Sequence, residues 1–208
     1  MLAYEDAGFY HHPGVDPAAV VRAAWEGVRA GRIVSGASTL SMQVARLLEP
    51  RPRTFTAKFL QMTRAVQLEL RLTKREILEL YLTLAPYGGN LEGIRAASWA
   101  YFGREPDALT IEQIALLIAL PQSPEARRPD RHPEAAVAAR GRVLDRLAGV
   151  GLARSTAQAD AAQDPAPQRR AFPGDAWQVA ETLARQYRDR TDMVSTLDAG
   201  LQRALEQP

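Results

Sequence analysis

Glu5 and Asp6 stand side by side at the head of a dense polar segment, Glu5-Asp6-Ala7-Gly8-Phe9-Tyr10-His11-His12-Pro13-Gly14-Val15-Asp16. A carboxylate held close to a hydroxyl takes its proton as that oxygen attacks, and a general base must be held rigidly to do so. Glu-Asp pairs also occur in solvated loops, so this stretch alone leaves both readings open. A second constellation lies further on. Ser35-Gly36-Ala37-Ser38-Thr39-Leu40-Ser41-Met42-Gln43 puts small residues and hydroxyls at a helix start, where free backbone N–H groups form a ready anion site. Gln43 falls one turn after Thr39, Arg46 comes a turn later, and Arg53 lies in the loop beyond. Lys58 and Gln61 are neighbours on the next helix, with small Ala65 leaving room for a ligand. The bland alternative is a set of ordinary caps and solvated cations.

Other chemistries drop out. No Ser-x-x-Lys exists, since Phe55 and Arg71 stand three residues before the two lysines. His11, His12 and His132 make no metal-ligand spacing, and there is no Asp-x-Asp pair or phosphate loop. Cysteine is absent, which removes thiolate chemistry and leaves the compartment open. Of 26 basic residues only Lys58 and Lys74 are lysine, so a compact ammonium is singled out at two places. The net charge of +2 gives no general attraction for nucleic acid.

The elements that must position these groups are helices. Asp16 caps a helix from Pro17 to about Ala30, with Val20, Val21, Ala24, Trp25 and Val28 apolar. A helix after Ser38 ends at Pro50, and Thr54 or Thr56 opens a long one striped by Phe55, Phe59, Met62, Val66 and Leu70. Capping boxes at Thr73–Glu76 and Thr110–Gln113 start two more. Pro86-Tyr87-Gly88-Gly89-Asn90 reads as a loop, Gly93 to Phe102 as a helix, and Pro133 to about Leu147 as another. Ser155 to Gly174 reads as a linker, followed by a helix near Asp175 to Tyr187, a short strand at Met193 to Leu197 and a helix capped by Asp198. No alternating strand pattern of useful length appears, so the fold class is mainly α. No run reaches the roughly 18 apolar residues of a membrane span. The chain enters its first motif at once, which fits a piece of a longer protein.

Taken together, these segments resemble the family 51 peptidoglycan glycosyltransferases of class A penicillin-binding proteins. Glu5-Asp6-x-x-Phe9-x-x-His12-x-Gly14-x-Asp16 is similar to their first motif. Gly36-Ala37-Ser38-Thr39-Leu40-Ser41-Met42-Gln43 is similar to Gly-Gly-Ser-Thr-Ile-Thr-x-Gln, with Ala37 for the second Gly. Arg53-Thr54 and Lys58-x-x-Gln61 fall where Arg-Thr and Arg-Lys-x-x-Glu stand. Thr73 to Leu82 resembles Ser-Lys-x-Glu-Ile-Leu-Glu-x-Tyr-Leu-Asn, with Thr83 for the Asn, and Gly93-Ile94-Arg95-Ala96-Ala97-Ser98-x-x-Tyr101-Phe102-Gly103 completes the set. Val194 to Gln202 resembles the junction to a transpeptidase domain. Met42, Gln61 and Ala96 to Tyr101 lean towards the 1C branch of that class.

The resemblance implies a lysozyme-like helical lobe with a smaller membrane-facing lobe. It implies a glycosyltransferase domain over 1–152 with its anchor missing, a linker and connecting helix over 153–192, and the transpeptidase junction over 193–208. The implied reaction joins lipid II into glycan strands with inversion and release of undecaprenyl pyrophosphate. Glu5 would be the base. Asp6, Phe9 and His12 belong to the implied substrate site, Asp6 as orienting group or as scaffold. Ser38, Thr39, Gln43, Arg46, Arg53 and Lys58 would surround the diphosphate. Gln61 stands where much of the family has a second catalytic Glu, and its amide would hydrogen-bond a phosphate oxygen instead. A divalent cation, Mg or Mn, would come with the substrate pyrophosphate, with no organic cofactor and no metal ligands in the chain. Implied partners are lipid II, the growing strand, the membrane surface and other cell-wall synthases. The implied place is the extracytoplasmic face of the bacterial inner membrane. Two other readings stay open: a lytic transglycosylase or hydrolase acting on peptidoglycan, and a weakly catalytic scaffold that binds lipid II or glycan.

Overall fold

The structure, a computed structural model, describes residues 1–30, 38–52, 54–153, 164–171 and 177–187, with the backbone alone at 24, 26–28, 30 and 177–180. The chain forms two compact units, Met1–Arg170 and Ala171–Pro208. In the first, helices follow one another as α1 (Leu2–Glu5), α2 (Pro17–Ala30), α3 (Leu40–Leu48), α4 (Phe55–Glu69), α5 (Lys74–Leu84), α6 (Ile94–Phe102), α7 (Ile111–Ala119) and α8 (Pro133–Gly149). In the second, Trp177–Gln186 is helical. Arg53, Gly36 and Ala37, the strand expected at Met193 to Leu197 and the helix after Asp198 lie outside the described residues.

Local chemistry sets the helix starts. Asp16 accepts the Ala19 N–H at 3.0 Å, and Thr39 and Thr54 cap α3 and α4. Thr73 and Thr110 make full capping boxes with Glu76 and Gln113, so both sequence signatures form as read. The chain leaves α7 through a 3₁₀ turn over Leu120–Gln122 that contains Pro121.

The stretch read as a loop after α5 is a small antiparallel hairpin, β1 (Pro86–Gly88) on β2 (Leu91–Glu92), pairing Pro86 with Glu92 and Gly88 with Leu91. Its strands are too short to show alternation in sequence. At its exit Gly93 has φ +84°, and a Cβ there would sit 2.8 Å from the Thr83 carbonyl oxygen, so only glycine turns the chain into α6.

Two apolar clusters hold the first unit together. One joins Phe9, Leu40, Val44, Ile77, Tyr81, Tyr87 and Tyr101 with Leu116 and Leu120. The other packs α7 on α8 through Ala115, Ile118, Val143, Leu144 and Leu147, with Tyr4 of α1 against it. The first residues of the chain therefore rest on the α7–α8 pair, which fixes where Glu5 can be.

Part of the stretch read as a linker belongs to this unit. The Arg170 N–H donates to the Ala100 carbonyl at 2.8 Å, Arg169 reaches Asn90 at 2.6 Å, and Arg140 reaches the Asp164 carbonyl at 2.6 Å. Residues Asp164 to Arg170 thus lie on the helical unit, held by arginine side chains that composition alone does not reveal.

Candidate active site

Glu5 closes α1, and both its carboxylate oxygens are gripped. Gln43 Nε2 on α3 donates to Oε2 at 3.2 Å, and Gln122 Nε2, just past α7, donates to Oε1 at 2.7 Å. Tyr81 of α5 lies behind Gln43, its hydroxyl 3.5 Å from Oε1 of that amide. Burial and the nearby Glu5 charge hold the Tyr81 phenol above the usual tyrosine range, so it stays a neutral donor. The result is a half-buried carboxylate oriented from two sides.

Asp6 has a separate set of partners and is buried. Its two oxygens lie 3.0 and 3.1 Å from His12 Nε2, and Oδ2 accepts the Leu40 N–H at 2.9 Å. It therefore sits at the positive end of the α3 dipole. Thr39 donates to the Gly14 carbonyl at 2.6 Å and accepts the Met42 N–H at 3.2 Å, at only 3% exposure. These contacts correct the expectation of a free anion site at the α3 start, because the chain's own Asp6 and Thr39 already occupy it.

Phe9 and His12 are likewise interior. Phe9 is 1% exposed, edge-on to Tyr10 and His12, with Lys74 Nζ 4.5 Å from its ring centre. Lys74 also donates to the His12 carbonyl and to Glu69 Oε1, both at 2.7 Å. Asp6, Phe9 and His12 thus belong to the packed interior and do not present themselves to a solute. The space expected beside Ala65 is filled too: Gly14, at φ +92°, lies so close that a Cβ would meet the Ala65 carbonyl oxygen at 2.7 Å.

The cations gather along α3 and α4. Lys58 Nζ donates to Ser38 Oγ at 2.5 Å. Burial, and secondarily the Arg46 guanidinium, push the Lys58 ammonium below its usual lysine range. Two like charges close enough to feel one another, with no ion-paired carboxylate on either among the described residues, mark a place where an anion would be stabilised. Gln43 and Arg46 are three residues apart, so α3 presents its Glu5 contact and its cation on neighbouring positions.

Gln61 is not aimed at open solvent. Its Nε2 donates to the Met42 carbonyl at 2.5 Å, tying α4 to α3. Its amide is matched to that carbonyl in a way a carboxylate cannot be, because an ionised acid has no proton to give. We expect Gln61→Glu to lose this bond, at about 1–3 kcal/mol, and to lower the melting temperature by roughly 2–12 °C. Thermal unfolding beside a turnover assay checks it, and a tenfold gain in turnover would show that the acid is the better working group.

Gln122 escapes a sequence reading. It lies 117 residues from its partner Glu5. The only local signal is the bracket Pro121-Gln122-Ser123-Pro124, which marks a fixed turn and says nothing of what it faces. Among the described residues no group of three His, Asp or Glu side chains converges to hold a metal ion.

A family model described as Transglycosylase matches residues 1–148. Penicillin-binding protein 1C of Escherichia coli is 49% identical over the whole chain, which spans 27% of that relative's length. Penicillin-binding protein 1A of Aquifex aeolicus is 42% identical over 71% of the chain and 20% of its own length. A solved penicillin-binding protein 1A from Haemophilus influenzae aligns with TM-score 0.43 and 22% identity over 73% of this chain and 20% of that one. The chain thus spans about a quarter or less of these relatives. With the model match running from the first residue through α8, the chain belongs to the transglycosylase family of peptidoglycan glycosyltransferases.

Proposed function

We propose that this domain polymerises lipid II, with Glu5 as the general base. The acceptor's sugar hydroxyl attacks the anomeric carbon of the donor, its proton passes to Glu5, and the C–O bond to undecaprenyl diphosphate breaks with inversion. The observation that carries this reading is the pairing on α3: Gln43 holds the Glu5 carboxylate while Arg46, one turn on, neighbours Lys58. One rigid helix thereby both orients the proton acceptor that α1 carries and supplies a cation for the departing diphosphate.

Cleavage of finished glycan fits less well. A sugar alkoxide leaving group needs an acid, and glycosidases supply it from a second carboxyl. Asp6 is engaged with His12 and Leu40, and Glu69 with Lys74 and Ser41. A diphosphate leaves without protonation, so a single accessible carboxylate is enough. The donors near the diphosphate, Ser38, Arg46 and Lys58, suit an anion directly; a Mg or Mn ion would be carried by the diphosphate oxygens. Purified lipid II incubated with the protein should give glycan polymer, and finished sacculi should release no soluble muropeptides. The reverse result would refute the assignment.

The lipid substrate requires a membrane face. The stripe on α4 that the sequence pattern would turn inward faces out: Phe55 is 81%, Phe59 66% and Leu70 80% exposed. On α2, Val21 and Trp25 are exposed as well. No helix among the described residues is long and apolar enough to cross a membrane. An interfacial seat for α4 suits these side chains, with the chain working at the extracytoplasmic face among other cell-wall synthases. Replacing Phe55 and Phe59 together by Ser should weaken vesicle binding by roughly tenfold or more, read by co-sedimentation with vesicles containing anionic lipid.

A further inference from the structure

Gln122 is exposed, lies outside every motif that the sequence singles out, and still makes the shorter of the two amide contacts to Glu5, 2.7 Å against 3.2 Å for Gln43. An amide can face a carboxylate with either end, and only its N–H₂ end helps. What fixes the end is Arg127. Its Nη1 donates to the Ala119 carbonyl at 2.7 Å and to Gln122 Oε1 at 3.0 Å. A guanidinium has donors only, so the oxygen of the amide must turn to Arg127 and the N–H₂ must turn to Glu5. Gln43 is arranged in the same sense, its oxygen towards the Tyr81 hydroxyl and its nitrogen towards Glu5. The α7 terminus, through Ala119, Arg127 and Gln122, is therefore linked directly to the carboxylate that α1 carries.

We propose that Gln122, with its amide turned by Arg127, is a positioning residue for the Glu5 base. This rests on the assignment of Glu5 above. Gln43 alone would hold one oxygen and leave the carboxylate free to rotate about its last side-chain bond. Gln122 holds the second oxygen and stops that rotation, so the proton-accepting lone pair keeps one direction. Displacement of a reacting group by about 1 Å costs on the order of a hundredfold in rate. Loss of one of two restraints should therefore cost between ten- and a hundredfold.

The test is lipid II polymerisation by the wild-type chain, Gln122→Met, Arg127→Met and the double variant, with kcat counted per folded molecule. Gln122→Met removes the donor at nearly constant size from an exposed site, so its melting temperature should stay at the wild-type value. Its kcat should fall about ten- to a hundredfold with KM changed less than about twofold. Arg127→Met, which frees the amide to turn over, should lose less, and the double variant should be no worse than Gln122→Met alone, because Arg127 acts through Gln122. A wild-type kcat in Gln122→Met, a loss confined to KM, or losses that multiply in the double variant would each overturn the proposal. Failure of the wild-type chain to polymerise lipid II would instead refute the reading of Glu5 on which it stands.

Discussion

Glu5→Gln should reduce kcat for lipid II polymerisation by about 10²–10⁴-fold, with KM nearly unchanged and the fold retained. The substitution keeps the shape of the side chain and removes the one function assigned to it, the capacity to accept a proton. Its remaining carbonyl oxygen can still accept from Gln43 or Gln122, while its new N–H₂ opposes the other donor, a strain of the size expected for one exchanged hydrogen bond. Glu5→Asp makes the complementary point. It keeps the acid and draws it back by one methylene, out of reach of amides now at 2.7 and 3.2 Å, and a retreat of about 1 Å should by itself cost on the order of a hundredfold. Polymer formation by Glu5→Gln within a few fold of wild type would remove the general base from the mechanism. It would favour a scaffold that only binds the lipid-linked sugar.

The same geometry explains which parts of the site a reader of the sequence could reach. Capping is local chemistry within four residues, so Thr73 and Thr110 announce their helices and the structure agrees. The Lys58–Ser38 contact follows from two segments that each carry a polar cluster. Long-range pairing is what stayed hidden. Nothing in the local pattern shows that Asp6 would reach the start of α3, which turns a potential ligand site into a filled one. Gly14 against Ala65 is another such case, since a small residue reads equally as space for a ligand and as space for the chain itself. The apolar stripe of α4 has the period of a core face, yet Phe55, Phe59 and Leu70 remain exposed. Periodicity reports that a face is apolar; it cannot say whether protein or lipid covers it.

Asp6→Ala should be the most destabilising single change at the site. Three groups depend on this carboxylate: His12 Nε2, the Leu40 N–H and the positive end of α3. His12 is 7% exposed, and its Nδ1 has no hydrogen-bond partner among the described residues, so removal of Asp6 would leave the ring without a polar contact on either side. A buried group stripped of its partner costs about 1–3 kcal/mol. Two such groups, with the loss of the dipole contact, give a total of about 3 kcal/mol or more and a fall in melting temperature of roughly 6–12 °C. Asp6→Asn is the informative companion. Its carbonyl can still accept the Leu40 N–H, and its amide can donate to whichever His12 tautomer offers an acceptor, so most of that stability should return. The two readings of Asp6 then separate in the Asn variant. A residue that only anchors the start of α3 would give a nearly native melting temperature together with nearly native turnover, because the Asn side chain still accepts the Leu40 N–H. A group whose charge acts on the substrate would give a nearly native melting temperature with turnover lost, and the buried position of Asp6 argues for the first outcome.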